Sequence, residues 1–76
     1  MVNTQMLEKA ITDSGKTKRF LADRLGRSVQ SFRLKRTNAN FFNTDEVAIL
    51  CDELDITKLS DKEKIFFAKN VEKMPT

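Results

Sequence analysis

The sequence predicts an all-α fold, built as one compact domain of five helices over residues 1–76. Apolar residues recur at helical spacing in five segments, and turn-forming residues separate the segments. The chain has 39% hydrophobic residues, two Gly and one Pro, a composition that suits a small helical domain better than disorder or a many-turned β protein. A chain of this length has room for one modest core.

The first helix is predicted over residues 4–14, with Asn3 or Thr4 as its cap and Gly15 as its end. The second follows the cap Thr17 and ends at Gly26. Residues expected to face the core are Met6, Leu7, Ala10 and Ile11 in the first helix, and Phe20, Leu21, Ala22 and Leu25 in the second.

After a turn at Gly26 and Arg27, the third helix is predicted from the cap Ser28 to about Arg36. At about 100° per residue, Val29 and Phe32 share a side with Arg36. Gln30, Ser31 and Leu34 lie on the other side. We therefore expect only a few apolar side chains to hold this helix against the core.

The stretch TNANFFNT is predicted to be a loop that tucks Phe41 or Phe42 into the core. Thr44 is the expected cap of a fourth helix that reaches about Leu54. A capping box of Ser60 and Glu63 predicts a fifth helix over residues 61–73. Their core residues are Val47, Leu50, Cys51 and Leu54 in the fourth helix, and Ile65, Phe66 or Phe67, Ala68 and Val71 in the fifth.

Positive charge is concentrated in residues 16–36, which hold eight basic residues and one acid, Asp23. Residues 37–76 hold five Lys and eight acids, and the whole chain has a net charge of +3. Clustered charge of this kind attracts a polyanion, and because it coincides with two short helices joined by a tight turn, double-stranded DNA is the expected partner.

Several classes of function are disfavoured. The chain has no His, and its lone Cys51 cannot form an internal disulfide, so we expect no metal site, no cofactor and no catalytic site. Neither a signal pattern nor an apolar run of about 18 residues is present, so we expect no membrane association and a cytoplasmic location.

The segment TKRFLADRLGRSVQSF resembles the helix-turn-helix of the phage Cro and CI (Xre-like) regulators, through Leu21, Ala22, Gly26 and Phe32. The resemblance implies a lambda-repressor-like fold whose third helix is the recognition helix. Arg27 and Lys35 depart from it, because apolar residues are common at both positions.

The resemblance and the side-chain chemistry together assign candidate contacts with DNA. Gln pairs with adenine, and Lys and Arg neutralise phosphates. Residues expected to face bases are Val29, Gln30, Ser31, Arg33 and Leu34; those expected at phosphates are Lys18, Arg19, Arg27, Lys35 and Arg36.

The leading hypothesis is a Cro-like phage or prophage regulator of a lysis–lysogeny switch, acting at the host nucleoid. Operators usually have two half-sites about 34 Å apart, so a homodimer or a second protein is expected. The alternative is a modulator of repression, or antirepressor, that binds a cognate CI-type repressor through Val29, Phe32 and Leu34. An antitoxin-like protein is a third hypothesis.

Overall fold

The computed structural model describes residues 1–68 and confirms a compact all-α fold. Its described part contains the helices α1 (Thr4–Ser14), α2 (Lys18–Arg24), α3 (Val29–Arg36), α4 (Thr44–Glu53) and α5 (Leu59–Phe66), and no strand. The longest of these, α1, has 11 residues, so no helix in this part of the chain could cross a bilayer.

Polar side chains cap the first four helices, as helix N-termini require. Asn3, Thr17 and Ser28 each accept a hydrogen bond from the backbone N–H three residues later, at 3.0–3.1 Å. Helix α4 is capped by Asn43, so the prediction of Thr44 was one residue late. The Asn43 side chain accepts from the Glu46 backbone N–H, and the Glu46 carboxylate accepts from the Asn43 N–H, which completes a capping box.

The prediction for the fifth helix was wrong at both ends. Lys58 occupies the N-cap position without a side-chain hydrogen bond, and Ser60 lies inside the first turn, so the capping box with Glu63 does not form. The helix ends at Phe66, because the backbone here bonds to the amino-terminal segment: Asn3 N donates to Ile65 O, and Ala68 N donates to Met1 O. The rest of the predicted helix, including Val71, lies outside the described residues.

A tight turn over residues 25–28 joins α2 to α3. Gly26 has a φ of +69°, in the left-handed region that glycine adopts at no steric cost. The Arg27 N–H donates to the Ala22 carbonyl at 2.9 Å, which satisfies the carboxyl end of α2. The turn brings α2 and α3 into contact, with Leu21 and Phe32 both fully buried.

The core lies where α1 to α4 meet, and α5 closes it from the side of α1. Its largest fully buried side chains are Leu7, Leu21, Phe32 and Leu50. Most of the apolar stripes predicted from helical spacing are confirmed, but Met6 and Phe20 are exposed, and so is Val29, which helical spacing had placed on the same side as Phe32. The cluster also takes in Val2 and Ile56, which lie outside the helices and so had no helical periodicity to mark them.

The loop after α3 supplies one aromatic residue to the core, as predicted. Phe42 packs edge-on against Phe32 and Phe66, with ring centroids 6.1 and 6.0 Å apart. Its neighbour Phe41 is 74% exposed. In α5 Phe66 is buried, and Phe67, just after the helix, is exposed. Consecutive Phe residues therefore divide between core and surface at both places.

The two loop phenylalanines should differ sharply in their effect on stability. Phe42→Ala should lower the free energy of unfolding by about 2 to 3 kcal/mol, because two aromatic contacts are lost and a void remains. Phe41→Ala should change it by less than about 0.5 kcal/mol. Urea unfolding followed by circular dichroism measures both. Equal losses in the two variants would contradict this packing.

Candidate nucleic-acid interface

Helix α3 presents one face to solvent and buries the other. Val29 and Leu34 are 45% and 38% exposed, Gln30 and Arg33 are exposed, and Ser31 is half-buried. These are the five residues predicted to face bases, and here they form a surface that we call the outer face of α3. Arg33 and Leu34 lie three or four positions after Val29, Gln30 and Ser31, so the residues of the two turns adjoin in one continuous ridge.

The inner face of α3 holds three residues that were assigned to a partner. Phe32 is fully buried, and Lys35 and Arg36 are each only 6% exposed. Phe32 is therefore removed from the candidate protein contact, and Lys35 and Arg36 from the candidate phosphate contacts. The predicted position of Arg36 beside Phe32 was correct, but its burial was not foreseen.

Lys35 can be buried because its ammonium group forms an ion pair with a buried carboxylate, that of Glu46. Its Nζ lies 2.7 Å from Glu46 Oε1, and Arg27 Nε lies 2.7 Å from Glu46 Oε2. Arg27 and Lys35 are the two positions where an apolar residue was expected. One ion cluster centred on Glu46 of α4 occupies both positions, so the inner face of α3 has polar contacts that helical spacing did not indicate.

Arg36 has a similar arrangement on α1. Its Nη1 lies 2.5 Å from Glu8 Oε2, and Lys18 Nζ lies 3.0 Å from Glu8 Oε1. The guanidinium also stands over the Phe32 ring, 5.0 Å from the ring centroid. Arg36 thus ties the end of α3 to α1 through charge and to the core through its planar face.

A third carboxylate, Glu53, holds two more cations at the end of α4. Lys16 Nζ lies 2.9 Å from Glu53 Oε1 and 2.6 Å from the Glu53 backbone carbonyl oxygen. Arg24 Nε lies 2.8 Å from Glu53 Oε2. This cluster ties the segment before α2 and the last residue of α2 to the carboxyl end of α4, and it includes no residue of α3.

Six of the eight cations in residues 16–36 are therefore paired, two to each of three carboxylates. Within residues 1–68, Arg19 and Arg33 have no ion pair. The sequence predicted the cluster of positive charge but not the pairing of six of its cations with carboxylates of the same chain. The one local signal was Glu46, the third residue after Asn43, a spacing that indicates a capping role for its carboxylate.

The pKa of each central carboxyl reflects this pairing. Burial raises the pKa of Glu46, but hydrogen bonds from Lys35, the Asn43 N–H and Arg27 outweigh burial and lower it. Glu8 behaves alike: burial raises its pKa, and Lys18 and Arg36 lower it further than burial raises it. For Glu53, hydrogen bonds from Lys16 and Arg24 lower the pKa. All three groups are therefore held as carboxylates.

Cys51 occupies the core position predicted for it. It is buried, and burial raises the pKa of its thiol, with a smaller opposing effect from the charge of Lys62. An open cleft of about 510 Å³ lies beside it, lined by residues of α4 and α5 and of the connection between them. Among residues 1–68, no three His, Cys, Asp or Glu side chains come together as a metal site.

Removing the Glu46 charge should destabilise the fold strongly. Glu46→Gln should lower the free energy of unfolding by about 3 kcal/mol, because Lys35 is left buried without a compensating charge. The matched control is Asp45→Asn, which removes an exposed charge from the same helical turn and should cost less than about 1 kcal/mol. Urea unfolding of both variants provides the measurement, and a near-neutral Glu46→Gln would contradict the buried pair.

The lowered pKa values of Glu8 and Glu46 predict loss of stability in acid. Their folded pKa lies below the ordinary value of 4.5, so their contribution is complete above pH 4.5 and is lost as pH falls through the folded pKa. Thermal unfolding from pH 7 to pH 2 should show this decline. Glu46→Gln should show a shallower decline than the parent, and an equal slope would refute the assignment to Glu46.

No model of a known protein family, no curated protein and no solved structure matches this chain. The candidate site is a ridge that carries Gln30, Arg33 and two apolar side chains, and it faces outward because Phe32 and the paired cations Lys35 and Arg36 bury the opposite side of α3.

Proposed function

We propose that this chain is a small Cro-like regulator that binds double-stranded DNA by inserting the outer face of α3 into the major groove. One observation carries the proposal: Gln30 and Arg33 are exposed on a helix whose opposite face is anchored by Phe32, Lys35 and Arg36. No salt bridge or side-chain hydrogen bond within residues 1–68 involves Gln30 or the Arg33 side chain. Their place on the surface therefore serves no evident role in folding.

The dimensions and chemistry of α3 suit this use. Its eight residues span about 12 Å, and an α-helix with side chains is about as wide as the major groove of B-DNA. Gln30 offers bidentate pairing with adenine, and Arg33 offers bidentate pairing with guanine or contact with a phosphate. Leu34 and Val29 offer apolar contact to thymine methyl groups.

Four cations remain as candidate phosphate contacts after the correction for Lys35 and Arg36. Arg19 and Arg33 are exposed, and the side chains of Lys18 and Arg27 are 48% and 43% exposed despite their ion pairs. Each phosphate contact contributes about 0.9 to the slope of log K against log salt. The proposal therefore implies a moderate slope of about −3 to −4 per domain.

The proposed regulator would act at the bacterial nucleoid within the cytoplasm, as part of a phage or prophage switch. A single module of this size reads only a few base pairs, so tight and specific binding requires a second half-site. A homodimer or a complex with a second DNA-binding protein would supply it.

A second candidate function is capture of a cognate CI-type repressor by the same outer face. The observation that favours it is apolar exposure: Val29 and Leu34 are both exposed on α3, and Phe41 follows on the next loop. Exposed apolar side chains ringed by Arg are typical of the centre of a protein interface. Internal pairing of six cations also reduces the charge available for phosphates.

Two substitutions on α3 separate these functions. If α3 reads DNA, Gln30→Ala should reduce the preference for the operator over random DNA by about 10-fold, since one bidentate contact is lost. Leu34→Ala should reduce it less. If α3 captures a repressor, Leu34→Ala should be the damaging change and Gln30→Ala nearly silent.

The measurement is an electrophoretic mobility shift with DNA flanking the gene, at low salt, with and without the neighbouring repressor. A shift by the protein alone supports DNA binding. No shift by the protein alone, together with loss of the repressor's own shift, supports repressor capture and contradicts the Cro-like proposal.

A further inference from the structure

We propose that Lys18 and Arg27 are exchangeable phosphate ligands, which leave their carboxylate partners for DNA phosphates when the outer face of α3 binds. This inference rests on the proposed DNA-binding function and names how two cations that are already paired take part in it. It also predicts which cations of the basic segment take no part.

Each of the two cations shares its carboxylate with a buried cation. Lys18 shares Glu8 with Arg36, whose side chain is 7% exposed, and Arg27 shares Glu46 with Lys35, whose side chain is 8% exposed. In both pairs the two cations bind different carboxylate oxygens. If the outer cation leaves, the carboxylate keeps its buried partner, and no buried charge is left alone.

The buried cations cannot exchange in the same way. Lys35 donates from an interior position, and taking it out to a phosphate would require α3 to leave the core. The Arg36 side chain is likewise buried, and its guanidinium packs over the Phe32 ring. The two roles are therefore divided: the buried cation of each pair maintains the fold, and the exposed cation is available to a ligand.

Lys18 and Arg27 are linked to the two ends of α3. Arg27 immediately precedes the cap Ser28 at its amino end, and Lys18 shares Glu8 with Arg36, the last residue of the helix. Backbone-contacting cations at both ends of a recognition helix fix its position along the groove. The side chains of Lys18 and Arg27 are 48% and 43% exposed, so a phosphate can approach either cation from solvent.

Arg24 provides a matched control within the same chain. Like Arg27, it is a half-exposed arginine that donates from Nε to a shared carboxylate, at 2.8 Å in place of 2.7 Å. Its partner Glu53 lies at the carboxyl end of α4, and neither Glu53 nor Lys16 contacts α3 through an ion pair. Arg24 should therefore keep its partner when DNA binds.

The direct test is nitrogen-15 NMR of the arginine Nε–H groups, in the free protein and with a random-sequence 20-base-pair duplex at low salt. We expect the Arg27 Nε–H resonance to shift as its acceptor changes from carboxylate to phosphate, and the Arg24 resonance to stay in place. An unmoved Arg27 resonance in the bound state, or equal shifts for both arginines, would overturn the exchange.

Salt dependence gives an independent test of both residues. Lys18→Gln and Arg27→Gln should each make the slope of log K against log salt shallower by about 0.9, and the double variant by about 1.8. Arg24→Gln should leave it unchanged. Thermal unfolding of each variant in the absence of DNA checks that the fold persists, because each carboxylate keeps its other cation.

The two levels of the proposal fail differently. If the parent protein does not bind the duplex at low salt, the proposed DNA-binding function is wrong and the exchange falls with it. If the parent binds and the slopes of Lys18→Gln and Arg27→Gln equal that of the parent, DNA binding stands and the exchange alone is refuted.

Discussion

The position of α3 depends on one buried carboxylate, that of Glu46. It accepts hydrogen bonds from the Asn43 backbone, from Lys35 on the inner face of α3, and from Arg27 in the turn before α3. A single side chain thus starts α4, holds α3 against it and fixes the turn between α2 and α3. Because the buried charge of Lys35 must be compensated, loss of the Glu46 carboxylate would disturb all three features at once.

The same constraint changes how the basic segment should be interpreted. A charge cluster in a sequence suggests a surface open to a polyanion, yet here three carboxylates from α1 and α4 take up two cations each. What faces solvent is a mixed surface in which Gln30 and Arg33 stand beside Val29 and Leu34. A surface of this composition favours hydrogen bonds and apolar contacts with a complementary partner over attraction by charge alone.

Much of the fold could be predicted because its signals are local. Helix caps such as Thr17 and Ser28 act over three residues, and helical periodicity marks core residues such as Leu21 and Leu50. Gly26 is similarly explained by the backbone conformation of one turn. Helical pitch likewise placed Gln30, Ser31 and Leu34 opposite Phe32, whereas Val29 and Arg33 joined the outer face only through the family resemblance.

The errors concern contacts between segments distant in sequence. The end of α5 is decided by hydrogen bonds to Met1 and Asn3, more than 60 residues away. Lys35 looks like a surface residue until Glu46 is placed beside it, and no periodicity in either helix encodes that approach.

The sequence by itself therefore determined the helices, most of the core and the direction in which Gln30 and Leu34 point. Tertiary structure alone decided which cations are available to a ligand, because the free energy of a charge depends on the groups that pack around it and not on its neighbours in the chain.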